Sequence, residues 1–130
     1  MNSASGYNSR KNNKKTGGLG EEIAGQFLSD SGYRILDRNF RYSTFGEIDI
    51  IAERNDILVF VEVKTYRTKQ FGEPELLVTA RKQRQVRKMA EIYLLQKKIT
   101  DMDCRFDVIG INLAKREGEP DRINHIENAF

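Results

Sequence analysis

The feature that most constrains the fold is a run of alternating apolar residues over 47–64, interrupted only by a short polar turn. Residues 47–54 and 57–64 each have the pattern of a β-strand, and Asn55 and Asp56 between them accept tight-turn geometry. We therefore predict an antiparallel hairpin in which residue 54 pairs with residue 57. One face of this hairpin is apolar and predicts a central place in the core; its residues are Ile48, Ile50, Ala52, Val59, Val61 and Val63.

Four charged side chains cluster on one face at the end of this hairpin that is distant from the turn. The predicted register places Asp49 directly opposite Glu62 and Glu47 directly opposite Lys64, all on one face because side chains alternate along a strand. Two carboxylates that face each other with Cβ atoms about 5 Å apart repel, or one of them is protonated. The pattern predicts either a solvated hairpin end held by ion pairs to Lys64 or a site for a divalent cation.

A divalent cation would remove this repulsion, and two carboxylates with a backbone carbonyl and water are typical ligands of Mg²⁺. The lysine beside them would orient or deprotonate a metal-bound water, or stabilise a developing phosphoryl charge. The apolar neighbours of Glu62 favour this interpretation over the solvated hairpin end. Charges in a buried strand are rarely left without a function.

The rest of the chain predicts a mixed sheet flanked by helices. The predicted elements are a helix over 19–31, a strand over 33–41, the two hairpin strands, a helix over 79–97, a strand over 104–113, and a short strand or turn over 122–127. The order α-β-β-β-α-β is typical of an α/β domain with a mixed central sheet.

Composition limits the class of protein. A chain of 130 residues suits one domain, which we place at 18–130, and the Asn, Ser, Lys and Gly of residues 1–17 predict a disordered basic tail. One cysteine excludes an internal disulfide, and one histidine, His125, excludes a His-rich zinc site; we expect His125 on the surface. Neither a membrane span nor a hydrophobic signal core is evident, so we expect a cytoplasmic protein.

The net charge of +3 permits a polyanionic partner without demanding one. The basic run over 81–88 predicts either a solvated helix face or contacts with phosphates, and the candidates for the second are Lys82, Arg84 and Lys88. After the hairpin, Arg67 is a further candidate for contact with a nucleic acid. Asp107 is expected to be an ion-pair or strand-end partner rather than a metal ligand.

The spacing of Asp49 and Glu62-Val63-Lys64 resembles the Asp…(Asp/Glu)-x-Lys signature of the restriction-endonuclease-like superfamily, PD-(D/E)XK. Five segments in order resemble one of its branches, a bacterial family of the YraN type described as candidate endonucleases and similar in fold to archaeal Holliday junction resolvases. The segments are LGEEIAGQFLSDSGYRIL, NFRYSTFGEIDII, LVFVEVKTYR, VTARKQRQVRKMAEIYL and RFDVIGI. The superfamily often adds an acidic residue from the first helix, and Glu21 borders the core face of that helix.

The resemblance implies a restriction-endonuclease-like domain that hydrolyses phosphodiester bonds in DNA, branched or damaged DNA included. In this interpretation Asp49, Glu62 and the Val63 carbonyl bind Mg²⁺ or Mn²⁺, Lys64 positions the attacking water, and Glu21 supports the site. The alternative is a module that keeps the fold and binds nucleic acid or protein without turnover. The sequence is also compatible with a homodimer.

Overall fold

The computed structural model describes residues 5–67 and 77–130, with side chains described from residue 18 onward. Within these residues, two helices and five strands follow one another. They are α1 (Ser5–Asp30), β1 (Arg34–Arg41), β2 (Glu47–Arg54), β3 (Ile57–Tyr66), α2 (Ala80–Lys97), β4 (Asp103–Asn112) and β5 (Arg122–Ile126). Among these described residues, neither helix is both long and apolar enough to cross a membrane.

The five strands form one mixed sheet in the order β1-β2-β3-β4-β5. All neighbouring strands are antiparallel except β3 and β4, which are parallel. A parallel pair requires a crossover connection, and α2 lies in that connection. The predicted α/β class with a mixed central sheet is therefore confirmed, and the short segment near the C-terminus is a fifth strand.

The central hairpin has the predicted register. Arg54 pairs with Ile57, and the ladder continues to the pair Ile50 and Val61. The turn residues Asn55 and Asp56 have φ values of 53° and 62°. Two consecutive positive φ values are typical of the tight turns that match the twist of a β-hairpin, and Asn and Asp tolerate them.

One core cluster lies on each face of the sheet. On one face, α1 buries Ala24 and Leu28 against residues of the central strands that include Ile50 and Val61. On the other face, α2 packs against Ile51, Leu58 and Phe60 through the side chains of Val86, Met89, Ala90 and Tyr93. Both helices therefore face the sheet through their apolar stripes.

Helix α1 is longer than predicted because it begins at Ser5 rather than near residue 19. It thus includes residues 5–17, which composition assigns to a disordered tail. Composition reports how much surface a segment can bury, but it does not report helix propagation. Extending an existing helix forms a hydrogen bond for each residue added and avoids the cost of nucleation.

The side chain of Asp107 joins β4 to the C-terminal segment. It is fully buried and accepts hydrogen bonds from Arg105, from His125 at 2.7 Å and from the backbone N–H of Asn128 at 2.9 Å. Burial alone would raise the pKa of this carboxyl group, but the hydrogen bonds from His125, Arg105 and Asn128 outweigh it and lower the pKa. The expected ion-pair role of Asp107 is confirmed.

The expected surface position of His125 is wrong, since only 11% of its side chain is exposed. Pairing of β5 with β4 places His125 opposite Ile109, and its ring makes edge contacts with Phe27 and Tyr33. The sequence near His125 is polar, so its burial follows from the position of β5 rather than from local pattern.

We predict that Asp107→Asn lowers the free energy of unfolding by about 3 kcal/mol, because it leaves the half-buried Arg105 beside a neutral partner. Urea denaturation measures this loss. The control is Asp103→Asn, an exposed carboxylate at the start of the same strand, which should change stability by less than about 0.5 kcal/mol. Equal effects of the two substitutions would contradict a structural role for the Asp107 network.

Candidate active site

Strands β2 and β3 separate at the end of the hairpin that is distant from its turn. Their ladder runs only to Ile50 and Val61. Beyond this point β2 stays paired with β1, where Glu47 faces Arg41, and β3 stays paired with β4, where Glu62 faces Val108. The predicted direct pairs of Asp49 with Glu62 and of Glu47 with Lys64 are therefore absent from this ladder, and a gap opens between the two strands instead.

The carboxylate of Asp49 lies in this gap. Its Oδ2 accepts a hydrogen bond of 2.8 Å from the backbone N–H of Val63, so a side-chain oxygen replaces a backbone partner at the point of separation. Alternation is also interrupted here, because Ile50 belongs to the core cluster of α1 whereas Ile48 belongs to that of α2. The prediction that Ile48 and Ile50 share a face is wrong for this reason.

Three carboxylates meet at the gap from separate parts of the chain. Glu21 of α1, Glu47 of β2 and Asp49 each offer an oxygen, and these oxygens lie within 4.8 Å of one another. The structure thus brings the predicted Glu21 to Asp49. It adds Glu47, which the sequence analysis places in the hairpin but expects to pair with Lys64.

Asn39 holds two of these carboxylates together. Its Nδ2 donates to Glu21 Oε1 at 2.9 Å and to Glu47 Oε2 at 2.6 Å, and Arg41 donates to the other oxygen of Glu47. Asn39 has a φ of 52°, a left-handed conformation within a strand. The sequence analysis missed this residue, and the only signal for it is that Asn tolerates positive φ better than most residues.

A close approach of α1 to β3 positions Glu21. A Cβ atom added at Gly20 would lie 1.8 Å from the Oγ1 atom of Thr65, so a larger residue there would displace either the helix or the threonine. The glycine that precedes Glu21 therefore allows the first helix to deliver its carboxylate to the end of the sheet.

Burial and like charge both act on Asp49. Burial is the larger cause and the charge of Glu62 the next, and together with Glu21 and Glu47 they raise the pKa of Asp49 to about 7, against the opposing hydrogen bond from Val63. Burial likewise raises the pKa of Glu62, although the positive charges of Lys82 and Lys64 oppose it. The charge of Glu62 therefore raises the pKa of Asp49, as expected from the proximity that the hairpin register predicts, even though the strands have separated.

Two lysines lie at the Glu62 side of the site. Lys82 Nζ is 3.6 Å from Glu62 Oε2, and Lys82 occupies the first turn of α2, where its backbone N–H is capped by the Thr79 hydroxyl. Lys64 Nζ donates to the carbonyl of Leu77 and is close enough to Glu62 to influence its pKa. Lys82, predicted as a phosphate contact, thus already pairs with a carboxylate of the site.

The other residues predicted for the site are Arg84, Lys88, Arg67 and Val63. Arg84 and Lys88 are exposed on α2, and Arg67 is exposed and donates to the carbonyl of Ala114 at 3.2 Å. Val63 meets Asp49 through its N–H, so the proposed contribution of its carbonyl to a metal stays a prediction. Carboxylate oxygens as close as those of Glu21, Glu47 and Asp49 suit a hard cation such as Mg²⁺.

We predict that Asp49→Asn stabilises the protein in chelator at about pH 8 and not below about pH 4. A pKa raised from 3.8 to about 7 means that the native state binds more protons than the unfolded state in that interval. The contribution of Asp49 to wild-type stability should therefore fall as pH rises to about 7, whereas the variant lacks this contribution. The difference should reach at most about 4 kcal/mol by chemical denaturation at several pH values.

The control for this prediction is Asp101→Asn, which changes an exposed carboxylate outside the site. Its difference from wild type should not vary over the same pH range. If Asp49→Asn is clearly less stable than wild type at about pH 8 in chelator, the cluster is a structural network of ion pairs and hydrogen bonds.

The chain is similar over nearly all of its length to proteins from several bacteria. It is 48% identical over 120 residues to a UPF0102 protein of Alkaliphilus oremlandii, which covers 91% of this chain and 99% of the relative. It is also 44% identical over 133 residues to a UPF0102 protein of Acetivibrio thermocellus, across the full length of both, and 50% identical over 125 residues to one of Pelobacter propionicus, covering 93% and 86%. The model of Uncharacterised protein family UPF0102 matches residues 20–111, a range that includes Glu21, Asp49, Glu62 and Lys64. The chain belongs to the UPF0102 family.

Proposed function

We propose that the protein is a metal-dependent nuclease with a restriction-endonuclease-like fold that hydrolyses phosphodiester bonds in DNA, branched or damaged DNA included. The observation that carries this proposal is the convergence of carboxylates where β2 and β3 separate, with a lysine two residues beyond Glu62. This set of groups is the one that the Asp…Glu-x-Lys resemblance assigns to phosphodiester hydrolysis. The mixed sheet with a helix on each face is compatible with the same superfamily.

The residues present fit a divalent cation. Asp49 and Glu62 would hold Mg²⁺ or Mn²⁺, with the Val63 carbonyl as a further ligand and Glu21 and Glu47 within reach of Asp49. Burial and the repulsion from neighbouring carboxylates together raise the pKa of Asp49, and a bound cation would relieve that repulsion. When bound, such a metal would supply Lewis-acid activation of a phosphate oxygen and lower the pKa of a coordinated water.

The chain's own groups would then position the reacting atoms. Lys64 would orient the attacking water through its ammonium group or neutralise charge that develops on the phosphate oxygens. Lys82 counteracts the effect of burial on Glu62 and so favours the ionised form that a metal ligand requires. Asn39 would keep Glu21 and Glu47 directed at the site through its two hydrogen bonds.

DNA would lie along the basic side of α2. Arg84 and Lys88 are exposed there, on the helix whose first turn carries Lys82 beside Glu62. Cations in this position would contact backbone phosphates, which fixes the position of DNA without reading its sequence. Arg67, exposed one residue after β3 ends, is a further candidate for such a contact.

We predict that the wild-type protein cleaves at least one member of a panel of labelled linear, flapped, nicked and four-way DNA in Mg²⁺ or Mn²⁺, and none in chelator. Asp49→Asn and Lys64→Ala should each lower the cleavage rate by at least about 100-fold, because each removes a group that acts on the reacting atoms. The readout is gel electrophoresis of the products under single-turnover conditions.

The matched control is Glu22→Gln, since Glu22 is exposed beside Glu21 and should be dispensable. Glu21→Gln should by contrast slow cleavage. If Asp49→Asn cleaves DNA as fast as wild type, this assignment of the site is contradicted. A wild-type protein that binds the panel but cleaves nothing would favour the non-catalytic binding module.

A further inference from the structure

Two large aromatic side chains are exposed next to the acidic group, which is formed by Glu21, Glu47 and Asp49. Tyr42 and Phe45 lie in the loop between β1 and β2, with exposed fractions of 42% and 49%. Their rings are stacked on each other, with centroids 6.2 Å apart and an interplanar angle of 19°. Neither side chain belongs to the two core clusters of the described residues. The pair therefore presents aromatic surface to solvent rather than to the protein interior.

The backbone of this loop is seated on α2. Gln85 donates from its side-chain amide to the carbonyl of Phe45, and the N–H of Phe45 donates to the carbonyl of Tyr42 at 3.2 Å. At Gly46, with a φ of 141°, an added Cβ would lie 2.4 Å from Nε2 of Gln85, so glycine allows this close approach. The aromatic pair is thus held in place by contacts of the main chain, while its rings stay accessible.

The loop lies between two kinds of group. On one side are cations that suit the phosphates of a nucleic acid, and on the other are the carboxylates of the proposed cleavage site. It begins directly after Arg41 and ends directly before Glu47, a member of the acidic group. On α2, Gln85 lies three residues after Lys82, which is the spacing of neighbours on one helix face, and Lys82 is 3.6 Å from Glu62. Aromatic rings, cations and the acidic group therefore meet at one end of the sheet.

We propose that Tyr42 and Phe45 form a stacking surface for an unpaired nucleobase, so that the substrate class is DNA with single-stranded nucleotides next to the cleaved bond. Aromatic side chains beside cations are the combination with which proteins hold single strands, since every base has a face that can stack. Bases within an intact duplex stack on one another and do not offer these faces. The choice of DNA as the ligand rests on the proposed function.

The test measures binding in chelator, where no metal-dependent cleavage takes place. The probes are a short labelled oligothymidylate and a labelled duplex of the same length, followed by fluorescence anisotropy. The double variant Tyr42→Ala, Phe45→Ala should bind the single strand at least about 10-fold more weakly than wild type, whereas its affinity for the duplex should stay nearly unchanged. Tyr42→Phe should retain binding, because it keeps the ring.

The control variant is Leu95→Ala, which removes an exposed apolar side chain near the other end of α2 and should leave both affinities unchanged. A direct reporter is also available, because the chain contains no tryptophan. In Phe45→Trp, the fluorescence of the introduced indole should be quenched by the single strand and not by the duplex.

Several results would overturn the inference. They are a wild-type protein that does not bind the single strand, alanine variants that bind it as wild type does, and equal losses on single strand and duplex. The first of these would indicate that the aromatic pair serves another partner, such as a protein. If the protein stacks on single strands but cleaves no DNA, the proposed nuclease and its substrate class are rejected, while Tyr42 and Phe45 remain a stacking surface. If the protein cleaves DNA but the alanine variants bind as wild type does, the stacking surface is rejected while the nuclease remains.

Discussion

The hydrogen bond from the Val63 N–H to the Asp49 carboxylate is the contact on which the arrangement of the site depends. It gives β3 a side-chain partner at the residue where pairing with β2 ends, and so compensates for a lost ladder contact. It also fixes Asp49 in the gap, within reach of both α1 and β3. A hairpin that stayed paired to its end would place the same carboxylates on one face of the sheet and leave no opening between the strands.

The acidic group is held by its surroundings at a cost in electrostatic energy. Hydrogen bonds from Asn39 and Arg41 hold Glu47, and Lys82 lies beside Glu62, but Asp49 is half-buried among like charges, and its pKa is raised to about 7. Unfavourable charge of this kind is more typical of a functional site than of a stabilising network. The Asp107 network on β4 shows the contrasting pattern, in which a buried carboxylate is satisfied by several hydrogen bonds.

Much of the fold follows from the sequence because it depends on local rules. The turn at Asn55 and Asp56 fixes the hairpin register, and the apolar stripes of both helices orient them toward the sheet. Helical periodicity places Glu21 at the border of the core face of α1, and the family resemblance implies that it joins Asp49. The separation of β2 and β3 does not follow from the sequence. The alternation of side chains assumes a continuous ladder, and it does not indicate the left-handed backbone at Asn39. The burial of His125 depends on where β5 pairs, which is a tertiary effect.

The most direct test of the central claim is titration calorimetry of Mn²⁺ and Mg²⁺ into the metal-free protein. A site built from these carboxylates predicts saturable binding by wild type and by Glu22→Gln, and none by the double variant Asp49→Asn, Glu62→Gln, provided that the double variant remains folded. Saturable binding should also raise the thermal stability of wild type, because the cation binds the native state. The account would be contradicted if neither wild type nor the double variant binds the cation, or if both bind it equally well.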